Sequence, residues 1–301
     1  MSEVIPPLVS IVIPSYNHAR YLGRALQSVL DQTYTNWEVI VIDNHSTDNT
    51  DEVMASFVDH RIIYLKIHND GVIAASRNAG IRAAKGEWVA FLDSDDWWTG
   101  DKLQICMGCI NSSIDLVYHG MEIVGGPQSF LKRKYIRTWQ VKKPALVDLL
   151  LRGNPIVNSS AVVRKALLER VGYINESVEM IAAEDYSTWL RIAQLTDQLA
   201  YLPHVLGYYL IHNQSVSKKD MSIPARNACA PFMKFLSGKQ SLRVESNFRF
   251  VGGMFLISLG DCRKAINFLI FGLYYGRAEI KIKCMIKLLM LPMYCLINKK
   301  S

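Results

Sequence analysis

The first hundred residues alternate between two hydrophobic periods, and few architectures accept such a pattern. Leu8–Pro14 (LVSIVIP) is a nearly unbroken β-branched run, as expected of a strand buried on both faces of a parallel sheet. Arg20–Leu30 then places Leu22, Leu26 and Val29 at helical spacing. Trp37–Asp43 reads as a second strand and Asp48–Phe57 as a second helix, with Ser46, Thr47 and Asp48 offering N-cap side chains. Arg61–Leu65 reads as a third strand, Ala74–Ala84 as a third helix stopped near Gly86, and Glu87–Asp93 as a fourth strand. Strand and helix in regular turn predict an α/β domain around a largely parallel sheet.

The pattern continues with a helix over Asp101–Ile110, a short strand at Leu116–Tyr118 and a helix over Pro144–Leu151. A strand at Ser159–Arg164, helices at Lys165–Val171 and Glu184–Leu195, and a last strand at His204–Leu210 follow. Residues 129–143 show no period and read as a loop, and beyond Pro224 only helical spacing remains. A soft boundary falls near residue 220. Cys106 and Cys109 share a predicted helix and read as buried thiols, since no second pair completes a zinc set.

The net charge of +7 is unevenly spread. Residues 129–147 carry Lys132, Arg133, Lys134, Arg137, Lys142 and Lys143 with no acid, and residues 261–301 carry eight Lys/Arg against Asp261 and Glu279. The rest of the chain is net acidic. Such regional basicity argues for one or two anionic surfaces and against a general nucleic-acid coat.

In open parallel sheets, ligands bind outside the carboxyl ends of the strands. Three predicted strands end in polar clusters: Pro14-Ser15-Tyr16-Asn17, Asp43-Asn44-His45-Ser46 and Asp93-Ser94-Asp95-Asp96. Topology brings all three to one edge. Three carboxylates in four residues repel one another unless a cation neutralises them, and hard oxygen donors suit Mg2+ or Mn2+. The alternative is an acidic turn that caps the next helix. Neither G-x-G-x-x-G nor G-x-x-x-x-G-K-[ST] is present, which weakens dinucleotide and P-loop readings.

The segments VSIVIPSYN at 9–17, ALQSVLDQTYTNWEVIVIDNHSTDNT at 25–50, NDGVIAASRNAGIRAAKGEWVAFLDSDD at 69–96 and EDYSTWLRIA at 184–193 stand in a specific order. In that order, over residues 8–217, the chain resembles a family 2 glycosyltransferase of GT-A fold, of the bacterial polysaccharide or O-antigen type. The resemblance implies an inverting, metal-dependent transfer of a hexose from a UDP-sugar to a saccharide acceptor, lipid-linked through undecaprenyl diphosphate. It assigns Asp93 and Asp95 to the Asp-x-Asp motif, with Asp95 on Mn2+ or Mg2+ and Asp93 on ribose or metal. Pro14, Tyr16 and Asn17 match the loop lining the nucleoside, and Asp43 keeps a positional role. Asn44 replaces the usual uracil-contacting Asp; its amide oxygen can still accept from uracil N3–H. Arg77 and Asn78 match a donor-side pair, the alternative being a helix face packed on the sheet. Glu184 and Asp185 match the Glu-Asp pair whose Asp is the general base, although acids at a helix start also complement its dipole. His212 fits a histidine near the diphosphate or metal, followed by Ser215-Val216-Ser217; Leu210 replaces the usual Arg, whose contact the 132–143 cluster could supply. Trp97 and Trp98 either stack on a sugar or pack into the fold.

The expected organisation is a GT-A catalytic domain over 1–220, with a nucleotide-sugar half (1–100) and an acceptor half (101–220), then a helical, basic extension over 221–301. Within Ala278–Ile297, lysines interleave with apolar residues, as in a helix lying on an anionic membrane; the alternative is a helical cap on the catalytic domain. The N-terminus lacks a signal-peptide pattern, and no stretch approaches the ~20 apolar residues of a membrane span. A cytoplasmic chain, peripheral on the inner membrane, is therefore expected, with no nucleic-acid partner. The competing reading is a non-catalytic, membrane-docked nucleotide-sugar-binding protein.

Overall fold

The computed structural model describes residues 6–126, 134–212 and 220–297, with side chains to residue 291. Eight strands form one sheet in the order β3-β2-β1-β4-β7-β6-β8-β5. The strands are β1 (Val9–Ser15), β2 (Trp37–Asp43), β3 (Ile62–Lys66), β4 (Trp88–Phe91), β5 (Trp97–Trp98), β6 (Leu116–Gly125), β7 (Val162–Arg164) and β8 (Leu199–Ile211). The helices α1 (Ala19–Leu30), α2 (Thr50–Ala55) and α3 (Ile73–Ala83) alternate with the first four strands as the sequence predicts.

Only part of the sheet is parallel. β3-β2-β1-β4 and the pair β6-β8 are parallel, whereas β7 runs antiparallel to both β4 and β6, and β5 antiparallel to β8. The reason is local. A turn over Asn158–Ser160 delivers the chain to the rim where β4 ends, with Ala90 opposite Val162, so β7 must run back. The second half of the sheet is thus less parallel than expected, and β6 and β8 are longer than the short strands read from the sequence.

Alternation of side chains puts Ile11, Ile13, Val39 and Val41 on one face with Leu22 and Leu26 of α1, and with Leu103 and Cys106 of α4 (Lys102–Gly108). Val12, Ile40, Ile42 and Phe91 face the other way, toward Ala74 and Ile81 of α3. There α5 (Ala145–Arg152) and α7 (Glu184–Leu195) join the same core, and α6 (Lys165–Arg170) packs nearby. Gly80 lets α3 sit close: a Cβ there would come 2.6 Å from Val12 and 2.7 Å from Ile42. The residue cannot be enlarged without pushing the helix off the sheet.

The helices α8 (Ser222–Cys229), α9 (Gly238–Ser258), α10 (Cys262–Tyr275) and α11 (Ala278–Ile297) follow. Val244 and Phe248 of α9 lie in the main core, while Ile257 near the end of α9 joins Ala265 and Leu269 of α10 and Cys284 and Leu291 of α11 in a separate cluster. A capping box closes the start of α9, where Ser237 Oγ accepts from the Gln240 N–H. Helix α11 is apolar on two sides. Ile280, Cys284, Leu288 and Leu291 pack inward, but Ile282, Met285, Ile286 and Leu289, spaced i, i+3, i+4, i+7, are exposed. Among the described residues no helix is long and apolar enough to cross a membrane. Cys106, Cys109, Cys229 and Cys284 are free thiols.

Candidate active site

The three polar clusters do meet at the carboxyl edge of β1, β2 and β4. Asn17 sits in the left-handed region (φ 51°), where its N–H donates to Ser46 Oγ at 2.8 Å and its Oδ1 accepts from the Thr47 N–H at 2.8 Å. Asp43 is fully buried and accepts from the Ser46 N–H at 3.0 Å and from the Ser46 hydroxyl. Both bonds fold the second cluster back onto the end of β2. Asp48 rather than Ser46 restrains the start of α2, its Oδ1 accepting from the Thr50 N–H at 3.2 Å. Tyr16 stands open, 54% exposed. The Asn44 amide oxygen, assigned by resemblance to a base, accepts from the Asn69 N–H at 2.9 Å, leaving it one lone pair.

The acidic turn divides into three roles. Asp96 is buried, with Oδ2 2.6 Å from Ser159 Oγ and Oδ1 accepting from the Leu210 N–H at 3.1 Å. Burial, then repulsion from Asp95 and Asp93, drives its pKa well up. Asp93 Oδ1 accepts from Arg77 Nη2 at 2.7 Å and Asn158 Nδ2 at 3.0 Å. Asp95 Oδ2 lies 2.9 Å from His212 Nε2. Next to them His18 reaches Ser94 Oγ at 2.8 Å, its pKa lowered by burial against the pull of Asp95.

Arg77 and Asn78 separate. Arg77 is almost wholly buried, with Nη1 2.7 Å from Glu184 Oε1 and Nη2 on Asp93, so its pKa is raised although burial opposes this. Its fork is filled by protein acids rather than left open for a phosphate. Asn78 points elsewhere: its amide holds the backbone of Ile174 in both directions, at 2.8 and 2.9 Å, and Glu176 at 2.7 Å. The donor-side role expected of Asn78 gives way to a structural one. The tryptophans also resolve toward packing. Trp98 is buried and donates to Ser159 O at 2.7 Å, while Trp97 is stacked on Tyr208 with the Arg24 guanidinium 3.4 Å from its ring centre.

At the start of α7, Asp185 Oδ1 accepts from the Tyr186 N–H at 2.5 Å and its Oδ2 from Asn154 Nδ2 at 3.3 Å. Burial, reinforced by the charge of Glu184, pushes its pKa up to about 7. A cavity of ≈ 860 Å³ brings Asp185 and Glu184 together with Pro14, Arg77, Asp93, Asp95 and His212. Tyr16, Asn17, Asp43, Asn44 and Asn78 do not line it. Its wall also takes in Asn154 and Asn158 on the α5–β7 loop with Arg152 and Arg277, which the sequence did not mark as site residues, and Lys283, which it marked only among the lysines of a membrane-facing helix. Arg137, from the basic segment, does reach the cavity; Lys132, Arg133 and Ser215-Val216-Ser217 lie outside the described residues.

The acidic turn thus lies at the switch of the α/β sheet, between β1 and β4, and faces a second acid pair across one cavity, where ligands of such sheets bind. Residues 10–172 match Glycosyl transferase family 2, and the chain belongs to that family. It is similar to the UDP-Glc:alpha-D-GlcNAc-diphosphoundecaprenol beta-1,3-glucosyltransferase WfaP of Escherichia coli, 30% identical over 210 residues, covering 70% of this chain and 80% of that protein. A second Escherichia coli enzyme, WfgD, with the same described activity, is 32% identical over 186 residues, covering 62% of this chain and 69% of that protein. In fold it is like S. aureus TarS 1-349 in complex with UDP-GlcNAc, with TM-score 0.64, 21% identity and coverage of 96% and 88% of the two chains. It is equally like the mannosyltransferase PcManGT of Pyrobaculum calidifontis in complex with GDP-Man and Mn2+, with TM-score 0.64, 18% identity and coverage of 98% and 85%.

Proposed function

We propose that this glycosyltransferase moves a hexose from a UDP-sugar, with inversion, to a saccharide carried on undecaprenyl diphosphate during bacterial surface-polysaccharide synthesis. The observation that carries this reading is the single cavity holding both the Asp95–His212 pair and Asp185. Asp185 acts as general base: it takes the acceptor hydroxyl's proton as that oxygen attacks the anomeric carbon, on the side away from the departing UDP. A carboxylate whose pKa lies near 7 combines adequate basicity with substantial ionisation at neutral pH. Glu184 is tied to Arg77 through Oε1 and so serves to hold the start of α7 in place.

The residues fit a divalent ion of the Mn2+ or Mg2+ kind. Asp95 and His212 offer an oxygen and a nitrogen donor 2.9 Å apart, and the Arg77 and Asn158 contacts of Asp93 both fall on its Oδ1. Ions of this kind are commonly held by one or two protein ligands together with the phosphates of a substrate. When bound, the ion would neutralise charge on the leaving nucleotide. His18, neutral and hydrogen-bonded to Ser94, keeps the turn in shape for it.

In this reading residues 1–220 form the catalytic unit and 221–301 an extension that rests on the cytoplasmic face of the inner membrane. The exposed Ile282, Met285, Ile286 and Leu289 beside Lys281 support this attachment, since apolar and cationic groups on one helix suit an anionic headgroup layer. Helix α11 then both caps the fold and meets the lipid. The donor half is tested by calorimetric titration with UDP, with and without Mn2+, and with GDP. Metal-dependent binding of UDP over GDP is the expected result; GDP preferred would show that the Asn44 cluster reads a different base, and binding of neither would dismiss the donor assignment.

A further inference from the structure

Four cations line the wall of the cavity, and the proposed chemistry does not use them. Arg137 comes from the basic loop, Arg152 from the end of α5, Arg277 from the turn before α11, and Lys283 from α11 itself. Against them stand two acids. Glu279 holds Arg137 in a two-pronged pair, with 2.7 Å between Nη2 and Oε2, and Lys283 at 2.5 Å; Asp148 lies 3.2 Å from Arg152. Arg277 donates to the Leu151 carbonyl at 3.2 Å, and among the described residues no acid lies within ion-pair distance of it. The balance of this wall is two positive charges in excess. Like charges gathered on a partly buried wall raise the free energy of the protein by themselves and lower it once an anion of matching charge arrives. In keeping with that, burial and then the nearby Arg152 lower the pKa of Arg277.

We infer that Arg137, Arg152, Arg277 and Lys283 form the subsite for the diphosphate of the lipid-linked acceptor, with Phe248 and Ile280 receiving the first units of its hydrocarbon chain. A diphosphate diester carries about two negative charges, which matches the excess, and guanidinium forks suit its oxygens. The two apolar side chains line the same cavity. Helix α11 connects this site to the lipid: Glu279, Ile280 and Lys283 line the cavity, while the exposed stripe of Ile282, Met285, Ile286 and Leu289 begins within the same turn. An acceptor whose tail lies in the bilayer would present its diphosphate at that place. The inference rests on the proposed function and adds the residues that tell a diphosphate-linked acceptor from a free saccharide.

The probe is farnesyl diphosphate, titrated into the full-length protein with saturating UDP and Mn2+ occupying the donor side. The protein should bind it at least tenfold more tightly than farnesol. The double variant Arg152→Gln/Arg277→Gln should weaken that binding by about tenfold or more, the order expected for losing charge-assisted hydrogen bonds, with UDP affinity retained. Glu279→Gln should move it the other way, tightening it a few-fold, because it removes the acid that competes for Arg137 and Lys283. A merely structural role would make both variants weaker. Variants that bind like wild type, or farnesyl diphosphate that competes with UDP, would overturn the subsite. Failure to bind UDP at all would instead remove the donor reading and this inference with it.

Discussion

Arg77 Nη1 donates to Glu184 Oε1 at 2.7 Å, and this bond joins residues 107 apart in sequence. Its other terminal nitrogen holds Asp93 at 2.7 Å, so one buried guanidinium ties the end of β4 to the start of α7. The distance between the acidic turn and Asp185 is therefore set by a salt bridge with little access to water. Asp93 is the more open partner, at 26% side-chain exposure, and Glu184 the more enclosed, at 10%.

Removing that guanidinium leaves Glu184 buried without its cation. Arg77→Ala should cost about 3–5 kcal/mol of stability, the range for breaking a buried pair from one side. Arg77→Lys should recover part of it, because an ammonium cannot repeat the fork that spans both acids. Urea unfolding of the three proteins checks the order.

Asp185 gives two pH signatures. Its raised pKa of about 7 means the proton-accepting form is lost below neutrality, so turnover should climb through about pH 7 and level off above it. Stability runs the opposite way. A carboxyl whose folded-state pKa exceeds its unfolded value destabilises the fold as pH rises from about 4 to about 7, and the penalty then stays constant. Asp185→Asn should thus raise the melting point at pH 8, by the equivalent of about 1–2 kcal/mol since solvent reaches this carboxyl from the cavity, and leave it unchanged near pH 4. Thermal melts of both proteins across that range give the answer.

The Asp95–His212 pair should control the metal. Asp95→Asn or His212→Ala should abolish most of the gain that Mn2+ gives to UDP binding, and a chelator should bring wild type to the same level. An equal response to Mn2+ in the variants would place the ion elsewhere.

Gly80 tests the fold apart from the chemistry. With Val12 and Ile42 under 3 Å from an added Cβ, Gly80→Ala should destabilise by about 1–3 kcal/mol through overpacking. Purified folded enzyme should keep its kinetic constants. Chemical unfolding and steady-state rates together measure this.

Which parts of this were legible in the sequence follows from how far each signal reaches. The runs of Leu8–Pro14 and Trp37–Asp43 carry their own period, so the parallel half of the sheet and its polar rim could be read locally. The long pairing of β6 with β8 could not. Its register slips at His119 and Gly120, and Pro203 and His204 interrupt the strand pattern of β8. At the site, Asp93, Asp95 and Asp185 stood out because acids cluster in the sequence. Nothing local showed that Asn78 turns toward Ile174, that Asp96 is a buried pin, or that the Asn44 oxygen meets Asn69. The cavity's cationic wall is assembled from residues 137, 152, 277 and 283, so only the folded chain exposes it.

The most direct test of the central claim is single-turnover transfer by Asp185→Asn beside wild type, with a UDP-hexose and a saccharide diphospholipid acceptor. The proposed role predicts UDP affinity within about twofold of wild type and a transfer rate lower by 10²–10⁴-fold, the range for loss of a general base. Transfer at the wild-type rate would contradict it, and another group would then have to take the acceptor's proton.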